Sequence, residues 1–154
     1  MRQLLLIALL VFLSSCQSAL FNYQSGMVVQ PERTSLSSGE HSASWASRDL
    51  RIDFEYDLKP DRLILQGKIE FADRVQYNFN RFEYFRIAAI LLDQSGNVLK
   101  IEDLASTQEI APLSFNKDIH LPANTSSLAF SYRGELRASE SDDAYIWNYP
   151  IKRK

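Results

Sequence analysis

The sequence predicts an all-β fold, an antiparallel sandwich of about seven to eight short strands, and three observations lead to it. Apolar and charged residues alternate strictly from Leu50 to Lys59, the period of a strand with one buried and one wet face. Turn chemistry recurs between the apolar stretches, in a chain with five prolines and with clusters such as Lys59-Pro60-Asp61 and Asp93-Gln94-Ser95-Gly96-Asn97. No stretch carries a convincing amphipathic helical period.

The first element is a leader. Leu4 to Leu13 is uncharged and free of proline, and it follows Met1-Arg2-Gln3, so Arg2 supplies the positive charge of a secretory n-region. As a helix the run would rise about 15 Å, half the hydrocarbon core of a bilayer, which is too short to span it. It closes on Leu13-Ser14-Ser15-Cys16. This resembles the lipobox of bacterial lipoproteins, in which leucine and two small residues precede the cysteine that becomes the mature N-terminus. The resemblance implies that Leu13, Ser14 and Ser15 are read as the signal, and that residues 1–15 are removed. It also implies that the Cys16 sulfur carries a covalent diacylglyceryl thioether. A thiolate is the side chain nucleophilic enough for that bond, and the small neighbours let the backbone enter a protease cleft. Two or three acyl chains then hold firmly, at about 0.8 kcal/mol per buried CH₂, where a single chain is marginal. Gln17 stands where an aspartate retains such proteins in the inner membrane. The resemblance therefore implies the periplasmic face of the outer membrane as the location.

Residues 16–48 then read as a lipidated N-terminus and a Ser-rich tether. Thr34, Ser35, Ser37, Ser38, Ser42, Ser44 and Ser47 recur, interrupted by Pro31 and Gly39, and such a stretch offers little apolar surface against its chain entropy. Phe21, Tyr23, Met27, Val28 and Val29 at its near end fit either the lipid interface or an edge strand.

The sandwich domain is expected over 49–154. Leu50, Ile52, Phe54, Tyr56 and Leu58 form the buried face of the first strand, opposite Arg51, Asp53, Glu55, Asp57 and Lys59. After the Pro60 turn, Leu63, Leu65, Ile69 and Phe71 face one way and Gln66, Lys68 and Glu70 the other, which predicts an antiparallel hairpin. Gly67 inside that strand signals a bulge or a close backbone approach. Val75, Tyr77 and Phe79 fit a weaker strand or a long ordered loop. Tyr84 to Leu92 is apolar except for Arg86, as in a strand covered on both faces; a short helix is the rival reading. Strand is preferred because the turn at 93–97 is followed by a β pattern at Val98, Leu99 and Ile101. Further strands are expected at Leu113 to Phe115, Ile119 to Leu121, through Leu128, Phe130 and Tyr132, and at Tyr145 to Ile151.

Leu65-Gln66-Gly67-Lys68-Ile69, Leu91-Leu92-Asp93 and Ser95-Gly96-Asn97-Val98 together resemble the FxLYD-type immunoglobulin-like modules of bacterial envelope proteins, with Ala89 and Leu92 in place of the motif phenylalanine and tyrosine. The resemblance implies an immunoglobulin-like sandwich and carries no site residues.

Catalytic signals are thin. Phosphate-loop glycines, paired cysteines, HExxH and Gly-x-Ser-x-Gly are missing from the sequence. Cys16 is the only cysteine, so once lipidated it leaves no thiol for a disulfide or a metal. His41 falls in the tether, and His120 points away from the face shared by Ile119 and Leu121. Asp53, Glu55 and Asp57 share one strand face, with Arg51 and Lys59 compensating their charge, as on a solvated surface. Glu140, Asp142 and Asp143, with Ser139 and Ser141, lack the spacing of a calcium loop. The formal net charge of −2 gives no electrostatic footprint for nucleic acid.

Aromatic residues are the remaining candidates. Phe71, Tyr77, Phe79, Phe82, Tyr84 and Phe85 are expected in the core, while Tyr145, Trp147 and Tyr149 alternate near the C-terminus and could form a ligand platform. The expectation is thus a non-enzymatic module without metal or dissociable cofactor. It is held to a membrane by lipid and offered to an envelope protein partner, with glycan binding through the C-terminal aromatics as the alternative.

Overall fold

The computed structural model describes residues 33–79, 81–137 and 144–149, with Arg137 and 144–149 described as backbone. Strand β1 is Thr34–Ser35, β2 Gly39–Ala46, β3 Leu50–Leu58 and β4 Arg62–Phe71. A single-turn helix α1, Asp73–Asn78, leads to β5 Arg81–Leu92, β6 Val98–Glu109, β7 Leu113–His120, β8 Ser127–Arg137 and β9 Ala144–Tyr149. They form two antiparallel sheets, one in the order β2-β3-β4-β7 and one in the order β1-β8-β5-β6, with β9 also paired to β8. Strand β5 takes one edge of β8 along its length, so β1 (opposite Leu128 and Ser127) and β9 (opposite Tyr132 to Arg137) share the other edge.

The expected sandwich is present. The chain leaves the first sheet after β4, makes the β5–β6 hairpin in the second, returns for β7 and crosses again to β8. Alternation dictates the layers. Leu50, Ile52, Phe54 and Tyr56 of β3 and Leu63, Leu65, Ile69 and Phe71 of β4 are buried. They face Phe82, Phe85, Ile87, Ala89 and Leu91 of β5 and Leu128, Phe130 and Tyr132 of β8 in one core cluster. Phe54 meets Phe130 edge-on at 5.1 Å, and Phe71 meets Phe85 edge-on at 5.0 Å, tying sheet to sheet. Edge-on pairs of this kind contribute about 0.5–1.5 kcal/mol beyond area burial.

The turns obey their residues. Lys59 N–H donates to Arg62 O at 2.9 Å across Pro60-Asp61. At the β5–β6 turn, Asp93 accepts from the Asn97 amide N–H at 2.9 Å and from Asn97 Nδ2 at 2.8 Å, while Gly96 takes the left-handed φ of 90° that glycine adopts at least cost.

Three expectations change, and one open alternative is decided. Part of the predicted tether is sheet: β1 and β2 lie within 33–48, and Trp45 is buried against Phe130 and Tyr132 at ring distances of 5.6 and 6.4 Å. An edge strand buries only alternate residues, so its serines stay wet and resemble a linker. Second, residues 73–78 are helical rather than extended. Val75 and Phe79 then lie four residues apart on one face, with Val75 buried and Phe79 packed on the core. Tyr77 projects away, 84 % exposed, which corrects its expected core role. Third, Leu113 to His120 is one continuous strand. Last, the β4 ladder runs through Gly67 without a register shift, so the close approach, not the bulge, explains it: a Cβ there would lie 2.7 Å from Asp53 O and 2.9 Å from Phe54 Cβ.

Candidate interaction surface

Sheet edges expose unpaired N–H and C=O groups, and native proteins blunt them with charges, bulges or cover. Three edges here are treated in that way. The β8 edge is occupied by β1 and β9. Strand β6 is offset from β5 by register shifts at Arg81/Phe85, Ile87/Ala88 and Leu91/Leu92 and carries Lys100, Glu102 and Asp103. At the β7 edge, Lys100 Nζ reaches across to His120 O at 3.3 Å.

The β2 edge differs. Its ladder with β3 is regular from Gly39↔Leu58 to Ala46↔Arg51, and no other described strand pairs with it. The hairpin closes with Ser47 N–H donating to Leu50 O at 2.9 Å. Hydrogen-bonded and non-hydrogen-bonded pairs alternate in such a ladder. Trp45, Ala43 and His41 therefore bond to β3, while Glu40, Ser42, Ser44 and Ala46 turn their N–H and C=O outward. The strand contains neither proline nor lysine.

The side chains of Glu40, Ser42 and Ser44 belong to the outer face of the β2-β3-β4-β7 sheet. Short serines leave an open trough of about 630 Å³ there, lined by Ser42, Ser44, Asp53, Lys68 and Ser114 among others. The carboxylates of this face are engaged. Arg51 Nη2 lies 2.8 Å from Asp53 Oδ1, Gln66 Nε2 donates to Glu55 Oε2 at 2.8 Å, and Lys59 Nζ lies 3.3 Å from Asp57 Oδ2. Hydrogen bonds from Arg51 and then Ser44 hold the Asp53 carboxyl below the usual aspartate range. The compensated face expected from sequence is what forms.

One polar constellation escaped sequence reasoning, the buried Asp49 at the start of β3. Tyr132 Oη donates to Asp49 Oδ2 at 2.6 Å, and Arg74 Nη2 meets Asp49 Oδ1. Because the tyrosine proton is committed to the carboxylate, Ser47 Oγ, 2.9 Å from Tyr132 Oη, must be the donor in that pair. Ser47 Oγ in turn accepts from the N–H groups of Asp49 at 3.1 Å and Leu50 at 3.2 Å. The network fixes the β2–β3 turn to β8 and α1, and so sets the position of the β2 edge. Its sequence signal was slight: a serine two residues before an aspartate, in a stretch that reads as linker.

The other candidates are dispersed. His41 sits on β2, exposed, with Nε2 3.1 Å from Ser38 O; it is held by a strand rather than loose in a tether. His120 is exposed at the far edge on β7. Tyr145, Trp147 and Tyr149 lie on β9 in register with Leu136, Gly134 and Tyr132, of which Leu136 and Tyr132 belong to the core. Leu13, Ser14, Ser15 and Cys16, together with Ser139 to Asp143, lie outside the described residues. Among the described residues, no group of three or more His, Cys, Asp or Glu side chains could hold a metal ion, and no helix is long and apolar enough to cross a membrane.

Compared with protein-family models, curated proteins and solved structures, the chain matches none.

Proposed function

We propose that this chain is a lipid-anchored protein of the cell envelope, tethered through Cys16 at the periplasmic face of the outer membrane, whose sandwich serves as a non-enzymatic docking module for an envelope protein partner. The observation that carries the partner reading is the β2 edge. Four outward N–H/C=O pairs, at Glu40, Ser42, Ser44 and Ala46, form a regular row beside short side chains. An extended segment of another protein adds to such an edge by main-chain hydrogen bonds. The anchor rests on the lipobox sequence Leu13-Ser14-Ser15-Cys16. The hydrogen bonds from Arg51 and then Ser44 that lower the Asp53 carboxyl from the usual aspartate range support a binding role over a general-acid role for that residue, since a general acid needs a pKa near the working pH. The alternative is glycan binding through Tyr145, Trp147 and Tyr149, which alternate along β9.

Photocrosslinking from Ser42 in intact cells tests the partner reading. The expected result is one envelope-protein adduct that disappears in Ser44→Pro, because proline removes an outward N–H without touching the β2–β3 ladder. An adduct that persists in the folded Ser44→Pro variant, or no adduct at all, overturns it.

A further inference from the structure

The groups that β2 turns outward are self-complementary. Hydrogen-bonded pairs in an antiparallel ladder form between residues that face each other with both N–H and C=O. A second β2 can therefore add only with Glu40, Ser42, Ser44 and Ala46 opposite residues of that same set. Pairing about a two-fold axis meets this condition over the whole strand in one register. Ser42 then lies opposite Ser44 of the second copy, Glu40 opposite Ala46, and Ala43 opposite itself on the axis. A slide of one residue sets outward groups against inward ones, and a slide of two leaves an outward residue past the end of a strand that spans only Gly39–Ala46.

Charge selects the same register. Glu40 is the one acidic side chain of β2. Within its own sheet it lies opposite Asp57, an acid whose carboxylate already has Lys59 Nζ at 3.3 Å, so Glu40 gains no cation from that neighbour. In the two-fold register it meets the Ala46 methyl of the second copy, and beside that Ala46 stands Arg51. Glu40 and this Arg51 share the outer face, two strand spacings or about 10 Å apart at Cα, with only a methyl between them. The Arg51 side chain is 61 % exposed, and its guanidinium carries donors beyond those it spends on Asp53. The symmetry makes the contact twice. Ala43 on the axis suits a non-hydrogen-bonded pair, whose Cα atoms approach to about 4.5 Å.

We propose that the occupant of the β2 edge is a second copy of this chain, the two four-stranded sheets joining through β2 into one continuous sheet. The proposal rests on the docking role of that edge and names its partner. Such an interface is isologous and closes at two copies, which leaves neither β2 edge open to further strands.

A disulfide across the axis tests it. In full-length Cys16→Ser/Ala43→Cys protein the new thiol is the sole cysteine, set opposite its own copy at a Cα spacing that a disulfide accepts. Oxidation is expected to link two chains at least tenfold faster than in Cys16→Ser/Ser114→Cys protein, whose thiol lies exposed on β7. Adding Ser44→Pro to the Ala43→Cys protein is expected to slow the linking at least tenfold, through loss of an outward N–H. Linking no faster than in the Ser114→Cys protein, or unslowed by Ser44→Pro, overturns the proposal. Should Ser44→Pro fail to fold, Glu40→Arg decides, because it changes only a wet side chain and sets like charges across the interface. Linking at least fivefold slower in that variant supports the register, and an unchanged rate overturns it. Photocrosslinking from Ser42 in intact cells separates this proposal from the reading beneath it. An adduct of two copies of this chain supports both, an adduct with a different protein overturns self-pairing alone, and no adduct overturns both.

Discussion

Tyr132→Phe isolates the Asp49 network, because it deletes one oxygen and leaves the ring. The hydroxyl is buried, donates to Asp49 Oδ2 at 2.6 Å and accepts from Ser47 Oγ at 2.9 Å. Losing a hydrogen bond to a buried carboxylate costs about 1.5–3 kcal/mol. The second loss is smaller, since Ser47 can turn its proton to Leu50 O, 3.4 Å away, and its cost is set at about 0.5 kcal/mol. Arg74 and Arg48 still face the carboxylate, so the charge is not orphaned and the larger penalty of an unpaired buried ion does not apply. The expected destabilisation is therefore about 2–3.5 kcal/mol, read in urea as a lower midpoint at unchanged slope. Tyr56→Phe is the internal control. Its hydroxyl accepts only a 3.3 Å bond from Ser37 N–H at a half-buried site, a loss of about 0.5–1 kcal/mol. If Tyr132→Phe costs no more than Tyr56→Phe, the network does not fix the β2–β3 turn.

Three further outcomes are expected. Trp45→Ala should destabilise by about 3–5 kcal/mol in the same urea titration, whereas a free tether at 39–46 would leave the midpoint unmoved. Gly67→Ala should cost about 1–3 kcal/mol through overpacking, because Phe115 Cζ at 2.8 Å can swing aside but Asp53 O at 2.7 Å is backbone; a neutral result would contradict the close approach. Hydrogen bonds from the Asn97 side chain and then its amide hold the Asp93 carboxyl below the usual aspartate range. Its contribution is thus present in full above the unfolded value and lost as pH falls through the folded one. Carboxyl NMR should show that low midpoint, with Asn97→Ala moving it back up.

Much of the sandwich was legible because burial on one face leaves a period-two trace. Leu50 to Leu58 and Leu63 to Phe71 read correctly residue by residue, and the 93–97 turn carried its own chemistry. Two segments misled for definite physical reasons. In β2 the inward positions are His41, Ala43 and Trp45, so only one large side chain announced the strand among serines that an edge leaves wet. In α1, Val75 and Phe79 satisfy a two-residue and a four-residue spacing alike. The helix is accompanied by one local and one distant side-chain bond: Gln76 Nε2 returns to Phe71 O at 2.6 Å, and Arg74 Nε reaches Arg48 O at 3.1 Å. The β2 edge was invisible for a related reason. Which N–H groups point outward depends on ladder phase, fixed by the Ser47–Leu50 bond, and no local pattern of side chains records it.

The proposed role depends on the anchor, and the most direct measurement is intact and N-terminal mass spectrometry of the protein purified from its own membrane. The account predicts a chain beginning at Cys16 with a diacylglyceryl thioether on its sulfur, and no fatty-acid label in Cys16→Ser. An unmodified Cys16 thiol, or a mature N-terminus at another residue, would contradict it.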